Sequence, residues 1–268
     1  MIEKDLNKNP YKDMLPTDVR LLIREGKITG QTSGMCEGFA QANLCVLPKE
    51  YAYDFLLFCQ RNPKSCPLLE VSDVGSRFLQ TTCNADIATD IPKYRIWRDG
   101  VLVDEVTDVS SVWRDDLVSF VIGCSFSFES LLLKAGIDVR NISEKHNVPM
   151  YLTNIETKRA GIFGGKMVVS MRPVTESQLV RAVTVTERMP SVHGSPVHIG
   201  SPEAIGIKDI KKPDFGEPST IREGEVPVFW CCGVTPQSVV MQSKPSFCIT
   251  HAPGHMLITD LTDFDLQE

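Results

Sequence analysis

The chain has 268 residues, of which 42% are hydrophobic and 23% are charged, values close to those of ordinary globular proteins. This composition excludes a disordered, collagenous or coiled-coil protein, and the length allows one large domain or a main domain with a smaller one. The net charge is -6, and lysine and arginine are dispersed along the chain rather than clustered. We therefore expect no nucleic acid partner.

The first residues are charged and no long apolar stretch follows them, so neither an export signal nor a membrane anchor is predicted. The longest apolar runs, 117–126 and 226–234, are much shorter than the about 20 residues that cross a bilayer. The nine cysteines form no repeating framework, which favours free thiols in a reducing compartment. A cytoplasmic protein is therefore expected, and a homo-oligomer is compatible with these features.

Glycine and proline residues mark the ends of several predicted elements in the N-terminal half. Proline-led segments predict helices over 19–25 and 49–58. Asp99-Gly100 between two short apolar segments predicts a β-hairpin over 94–106. A further helix is predicted over 117–122, broken at Gly123 and resumed over 128–134.

In the C-terminal half, strands over 150–155 and 167–172 precede a helix over 176–188, which is a compact β-β-α unit. Short apolar strands follow among turns at 227–232, 247–250 and 256–259. The predicted fold is mixed α/β, with a main layered α/β domain and a smaller two-layer α+β domain inserted in it. We assign residues 1–143 and 206–268 to the main domain and residues 144–205 to the insertion.

Four of the five histidines, His193, His198, His251 and His255, lie in two short segments of the last third. The second pair has the spacing of a helical zinc site, but Pro253-Gly254 between them would break that helix. Two interpretations stay open: the four imidazoles converge on a metal ion from two loops, or they form hydrogen bonds that join these loops.

The segment 123–129 places a thiol and two hydroxyls, Cys124, Ser125 and Ser127, at the predicted start of a helix. Free backbone N–H groups and a partial positive charge at such an end suit a substrate carboxylate. The alternative is a tight junction in which the serines only cap the helix.

The segment 230–237 ends an apolar strand in a turn that carries two thiols, a hydroxyl and an amide. Adjacent cysteines point to opposite sides of a strand, so at most one of Cys231 and Cys232 is expected to face a site. A nucleophilic thiol at Cys124, Cys231 or Cys232 would need a neighbouring base, which the histidines could supply after folding.

Two more polar residues stand near turns, namely Asn43 and Arg172, and Arg172 at a strand end could clamp a carboxylate. A surface ion pair is the alternative for Arg172. Nucleotide, dinucleotide, calcium and serine-hydrolase motifs are absent from the sequence. We therefore predict neither a cofactor nor a metal ion.

Several blocks, in order along nearly the whole chain, resemble the bacterial hydro-lyases of the D-glutamate cyclase family. These blocks are 38–44, 66–71, 123–129, 147–151, 167–173, 192–200, 226–237 and 247–256. The resemblance implies a two-part α/β fold and a reaction in which a C–O bond is cleaved with loss of water. A cyclase of D-glutamate would join the amino group to the side-chain carboxyl and form 5-oxo-D-proline.

Such a site needs a base, an acid and donors for a developing oxyanion. As a hypothesis, we assign four catalytic residues: His251, His255, His198 and Cys124. We assign the substrate-binding residues Ser125, Ser127, Arg172, His193, Thr235, Gln237 and Asn43. In this hypothesis a histidine transfers protons, the serines and the helix N–H groups bind an oxyanion or carboxylate, and Arg172 holds the substrate.

Two other functions fit the same residues. The first is a metal-dependent hydrolase of a cyclic amide that uses the histidines as ligands. The second is a carboxylate-binding protein without catalysis, in which the polar loops provide affinity alone.

Overall fold

The computed structural model describes residues 9–267, which form two antiparallel sheets with helices packed on them. The charged segment 1–8 considered above lies outside the described residues. The larger sheet contains β1 (Phe39–Pro48), β2 (Leu68–Val71), β3 (Tyr94–Arg98), β4 (Val101–Val106), β5 (Leu117–Gly123), β10 (Cys248–His251) and β11 (Leu257–Thr262). The second contains β6 (Met150–Glu156), β7 (Lys166–Thr175), β8 (His198–Ile199) and β9 (Glu225–Cys231). The predicted mixed α/β class is confirmed.

Strand β1 is the centre of the larger sheet. Its residues 42–48 pair with β5 on one edge, whereas β11 and β10 share its other edge, so that the strand order is β2-β5-β1-β10-β3-β4. Nine of its ten residues are buried. The sequence analysis assigned no strand to this segment, because Gln41 and Asn43 interrupt the apolar pattern of a strand that is covered on both faces.

The helices in the described residues are α1 (Pro16–Arg24), α2 (Lys49–Arg61), α3 (Phe126–Lys134), α4 (Arg140–Ser143), α5 (Leu179–Glu187) and α6 (Thr235–Ser243). Phe55 and Phe58 of α2 pack on the face of the larger sheet that carries Cys45 and Phe120. The opposite face of this sheet packs against a second buried cluster that includes Ile91. Within residues 9–267, no helix has the length and apolar character needed to cross a membrane.

Most of the predicted elements are confirmed, including α1, α2, α3, α5 and the strands of the C-terminal half. The hairpin over 94–106 is confirmed too, and both turn residues, Asp99 and Gly100, have positive φ angles. Such angles are typical of the tight turn that matches strand twist.

The helix predicted over 117–122 is wrong, because this segment is β5. All seven residues of β5 are buried, since the strand lies between β1 and β2 and is covered on both faces. A strand with two buried faces has a continuous apolar run instead of alternation, and such a run resembles a buried helix in sequence.

The division into domains stays a prediction, but the pairing of β9 differs from the predicted domain boundary. Strand β9 pairs along its whole length with β7, although residues 206–268 were assigned to the main domain. The second sheet therefore draws strands from both sides of position 205.

Gly123, the last residue of β5, lies against the backbone of the turn Pro190–Val192. A Cβ atom at this position would lie 2.0 Å from the carbonyl oxygen of Ser191. We expect Gly123→Ala to lower the free energy of unfolding by about 1–3 kcal/mol, because the backbone must shift. Urea unfolding checks this, with Gly30→Ala as control because a Cβ there contacts nothing within 4 Å. Equal midpoints for the two variants would contradict the prediction.

Candidate active site

Residues from both sheets line a small buried cavity, which we call the central cavity. Its polar lining consists of Asn43, Cys124, Ser125, Asn147, Cys232 and His251. Apolar side chains, among them Phe126 and Met150, complete the wall. The volume is about 20 Å³, which is room for about one water molecule. The central cavity is therefore closed to larger molecules in this conformation.

The N-terminal ends of two helices reach this cavity. Helix α3 follows β5 of the larger sheet, and α6 follows β9 of the second sheet. Residues next to each helix start, Ser125 and Phe126 for α3 and Val234 for α6, line the cavity. The N–H groups of Ser127 and Thr235 are paired with the carbonyls of Cys124 and Cys232, so it is the helix dipole that makes these ends favourable for an anion.

The thiols of Cys124 and Cys232 lie just before these helix starts, and both are buried. Burial raises the pKa of Cys124 to about 12 and the pKa of Cys232 to about 11. Arg172 and a backbone N–H near each thiol act in the opposite direction but do not outweigh the burial. Both residues are therefore thiols, not thiolates, at neutral pH.

His251, at the end of β10, is the buried imidazole of the cavity. Its Nδ1 lies 3.1 Å from the backbone nitrogen and 3.3 Å from the carbonyl oxygen of Leu44, and we assign the ring proton to Nε2 because the shorter contact is the one in which the Leu44 N–H donates. Burial lowers the pKa of His251 to about 4, which keeps the ring neutral at pH 7. Its Nε2 has no hydrogen-bond partner among the described residues. The ring can thus donate one hydrogen bond to a ligand in the cavity.

Two amide side chains fix the surroundings of His251. The Nε2 of Gln237, in the first turn of α6, donates to the His251 carbonyl across 2.8 Å. The Nδ2 of Asn43 donates to the carbonyl of Gly123 across 2.8 Å. Only glycine fits at position 233, because a Cβ there would lie 1.9 Å from the same Asn43 nitrogen. Asn43 therefore contacts the turns before both helices.

Arg172 on β7 is fully engaged in the protein interior. It pairs with Glu129 of α3 across 2.5 Å and donates to Ser170 and Ser125 across 3.0 and 3.2 Å. Its guanidinium also lies over the ring of Phe128, 5.0 Å from the centroid. Arg172 does not line the central cavity but holds Ser125, which does.

The other predicted site residues lie outside the cavity lining. Ser127 accepts the N–H of Gln41, and Thr235 donates to the carbonyl of Cys232 at the start of α6. His193 is buried with Nδ1 2.9 Å from the carbonyl oxygen of Lys64, and its Nε2 is without a partner among the described residues.

His198 and His255 do not line the cavity either, although His255 lies close enough to His251 to lower its pKa. His198 lies on β8 with Nε2 2.7 Å from the carbonyl oxygen of Ser201. His255 is half-buried with Nδ1 3.0 Å from the carbonyl oxygen of Pro253. In the part of the chain that the structure describes, no three histidine, cysteine or carboxylate side chains form a group that could hold a metal ion.

The structure thus brings together four of the predicted site residues: Asn43, Cys124, Ser125 and His251. Sequence analysis left Cys232 and Asn147 out of the assigned set. A pattern shared with Cys124 could have indicated Cys232. Each cysteine follows an apolar strand, and each is followed three residues later by a hydroxyl residue, Ser127 after Cys124 and Thr235 after Cys232.

A larger space, which we call the outer cleft, adjoins the central cavity. Its volume is about 330 Å³, and Phe126 lines both spaces. Three carboxylates, of Glu37, Glu129 and Asp263, line the outer cleft together with the ammonium group of Lys12. Two of these carboxylates are paired, Glu37 with Lys12 and Glu129 with Arg172, so the cleft keeps only a small net negative charge, which does not favour a carboxylate ligand.

The buried thiols should react slowly with alkylating agents. We expect iodoacetamide at pH 7.5 to modify the exposed Cys83 at least about 100-fold faster than Cys124 and Cys232, because the thiolate is the reactive form. A time course of peptide mass spectrometry measures the three rates. Equal rates at Cys83 and Cys124 would contradict the burial and pKa assigned to Cys124.

The two buried histidines should make stability depend on pH. Burial lowers the pKa of His193 and His251 to about 4, whereas an unfolded chain titrates its histidines near about 6.5. Between these values the unfolded chain binds more protons than the folded protein, so the free energy of unfolding falls as pH is lowered. We expect a loss of about 2–3 kcal/mol per histidine between pH 7 and 4.5.

Urea unfolding at several pH values measures this loss. His251→Asn keeps an oxygen that can accept the Leu44 N–H but removes the titrating group, so its loss of stability on acidification should be smaller. An unchanged pH dependence in this variant would show that His251 is protonated as easily in the folded protein as in the unfolded chain.

Comparison with known proteins connects this site to one family. The family model described as D-glutamate cyclase matches residues 118–260. A Clostridium beijerinckii protein named "Putative hydro-lyase" is 67% identical over 258 residues, 96% of this chain and 98% of the relative. A Bacillus licheniformis protein of the same class name is 64% identical over 252 residues, 94% of this chain and 96% of the relative.

One solved structure, of a nitrogen repressor-like protein from Methanococcus jannaschii, covers 90% of this chain and 96% of that chain with 10% identity and a TM-score of 0.39. This similarity is too low to support any statement about the fold or function of the present chain. The relatives decide the assignment, since their identity extends over almost the entire length. The chain belongs to the D-glutamate cyclase family, and the family resemblance of its sequence is confirmed.

Proposed function

We propose that this protein removes water from an amino acid or a related small carboxylate, with the cyclisation of D-glutamate to 5-oxo-D-proline as the first candidate reaction. One observation carries the proposal: two helix N-termini and the neutral imidazole of His251 meet at one buried polar cavity. The names of the relatives and of the family support the same reaction class.

The helix ends are suited to bind a substrate carboxylate. The starts of α3 and α6 both present positive dipole ends to the central cavity, and burial strengthens their attraction for an anion because little water screens it. Ser125 adds a hydroxyl whose position is fixed by Arg172. In this proposal Arg172 is a positioning residue, because its donors are already used by protein groups.

His251 is suited to stabilise the oxygen that becomes negative during the reaction. A neutral imidazole with its proton on Nε2 donates a hydrogen bond without bringing a charge into the buried site. Leu44 and Gln237 hold the ring and its backbone, so little reorganisation is needed during the reaction.

The atoms and protons of the cyclisation balance without any reactant besides the substrate. The amine nitrogen attacks the side-chain carboxyl carbon, the N–C bond forms and one C–O bond breaks. The ammonium group loses two protons, and both leave with one carboxylate oxygen as water. These two protons pass within the substrate, from the ammonium group to the departing oxygen, and the site lowers the energy of the tetrahedral intermediate through a hydrogen bond from the Nε2 of His251 and through the two helix dipoles.

Substrate binding requires the central cavity to open, since its present volume holds about one water molecule. Phe126 separates it from the outer cleft of about 330 Å³, which is large enough for a small metabolite. We therefore propose entry from the outer cleft with displacement of the Phe126 ring.

The remaining predicted residues have no direct role in this proposal. Thr235 and Gln237 support α6 and His251, and Ser127 supports the start of α3. His193, His198 and His255 lie outside the cavity lining, so the metal-dependent hydrolase has no assembled ligand group among residues 9–267.

The function is tested by incubating the protein with a panel of amino acids, hydroxy acids and their lactams, with product detection by NMR. We expect His251→Asn to lower kcat by about 100- to 1000-fold, the usual effect of removing one oxyanion donor. His255→Asn serves as the matched control and should keep activity within about threefold, because it lies outside the cavity lining.

Equal activity of the two variants would remove His251 from the mechanism. Tight binding of D-glutamate or 5-oxoproline without any turnover would instead favour the carboxylate-binding protein over the enzyme.

A further inference from the structure

The turns before α3 and α6 have the same local structure, although they follow strands of different sheets. In the first, the N–H of Ser127 donates to the carbonyl of Cys124 across 3.1 Å. In the second, the N–H of Thr235 donates to the carbonyl of Cys232 across 3.0 Å. In each, the backbone N–H two residues after the cysteine also interacts with its sulfur.

This repeat places two thiols at one cavity. Cys124 and Cys232 are each 6% exposed, both line the central cavity and each is a free cysteine. The side chain of Asn43 contacts both turns, through its hydrogen bond to Gly123 before the first thiol and its contact with Gly233 after the second. Asn43 therefore lies next to both turns that carry the thiols.

A second observation indicates that a ligand belongs between them. The ring of His251 is 1% exposed and lines the same cavity, yet its Nε2 has no hydrogen-bond partner among residues 9–267. A ligand in the cavity can accept a hydrogen bond from this Nε2. The donor, the two helix ends and the two thiols thus surround one position.

We propose that Cys124 and Cys232 are a pair of acid–base groups that break and re-form the C–H bond next to the substrate carboxylate. The inference rests on the proposed function in one respect, namely that the central cavity binds the substrate carboxylate. It goes further by assigning a second activity: exchange of the α-hydrogen of 2-amino and 2-hydroxy carboxylates with solvent, accompanied by inversion at that carbon.

In this reaction the protons move only between the substrate, the two cysteine sulfurs and solvent. After one thiol has lost its proton to solvent, its thiolate takes the α-proton, so that the C–H bond breaks and an S–H bond forms. The electron pair moves into the carboxylate, where the two helix ends stabilise the added charge. The other thiol then donates its proton to the opposite face of the carbon, and solvent restores the starting protonation.

The same pair suits the loss of water. In a 3-hydroxy carboxylate, the electron pair from the C–H bond expels the neighbouring hydroxyl group, which takes the proton of the second thiol and leaves as water. Burial raises the pKa of both thiols, which makes each thiolate a stronger base than a free cysteine and also rarer at neutral pH.

The test follows the α-hydrogen by ¹H NMR in D₂O, with D- and L-glutamate, 5-oxo-D-proline and 2-hydroxyglutarate as probes. We expect the wild-type protein to exchange this hydrogen in at least one probe, and Cys124→Ser and Cys232→Ser each to lower the rate by about 100-fold or more. Cys231→Ser is the matched control, because its sulfur contacts Ser65 and Met167 outside the cavity lining, and it should keep the wild-type rate.

A measurement on the wild-type protein alone keeps the proposal testable if a variant does not fold. With two acid–base groups, the inverted product gains deuterium at once, while the recovered substrate keeps its hydrogen early in the reaction. Equal early labelling of substrate and product would overturn the paired mechanism, and so would wild-type rates in both cavity-cysteine variants.

Absence of exchange with every probe would also overturn the inference. Because cyclisation of D-glutamate leaves the α-hydrogen in place, lactam formation without exchange would overturn this inference alone and leave the proposed function standing. Loss of both activities in the wild-type protein would overturn both.

Discussion

The buried ion pair between Arg172 and Glu129 joins the two sheets of this protein. Arg172 lies on β7 of the second sheet, whereas Glu129 lies on α3, which directly follows β5 of the larger sheet. Two buried charges are stable only when each satisfies the other, and removing one partner of such a pair typically costs about 3–5 kcal/mol. The position of α3 relative to the second sheet therefore depends on this contact.

The candidate site depends on the same contact. The guanidinium that neutralises Glu129 also fixes the hydroxyl of Ser125 and lies close enough to affect the thiols of Cys124 and Cys232. Because Glu129 balances its charge, Arg172 acts on the site mainly by holding Ser125 and α3 in place. An anionic substrate would thus meet two helix ends in the central cavity.

Much of the fold could be predicted from local sequence signals. Asp99-Gly100 specifies a tight turn by its backbone preferences, and the proline at the start of α1 allows a helix to begin there. Strands β1 and β5 could not be recognised in the same way. Both are covered on two faces by other parts of the chain, so their sequences lack the alternation that a half-exposed strand shows.

The lining of the central cavity was predicted in part for a similar reason. Cys124, Ser125 and His251 stand at element ends, where polar residues next to apolar runs are visible in sequence. Whether His251 and His255 share a site could not be read from their spacing. One is held by Leu44 of the neighbouring strand, and the other turns to the carbonyl of Pro253.

The sequence by itself determined the family, the α/β class, most helices and strands, and the chemical types at the site, because these follow from local patterns and from the order of conspicuous blocks. Tertiary structure alone decided which groups meet. It joined Cys232 to Cys124 across two sheets, placed Arg172 behind the site instead of in it, and left His198 and His255 outside it. The physical reason is that contacts between distant segments depend on sheet pairing and burial, which no local pattern specifies.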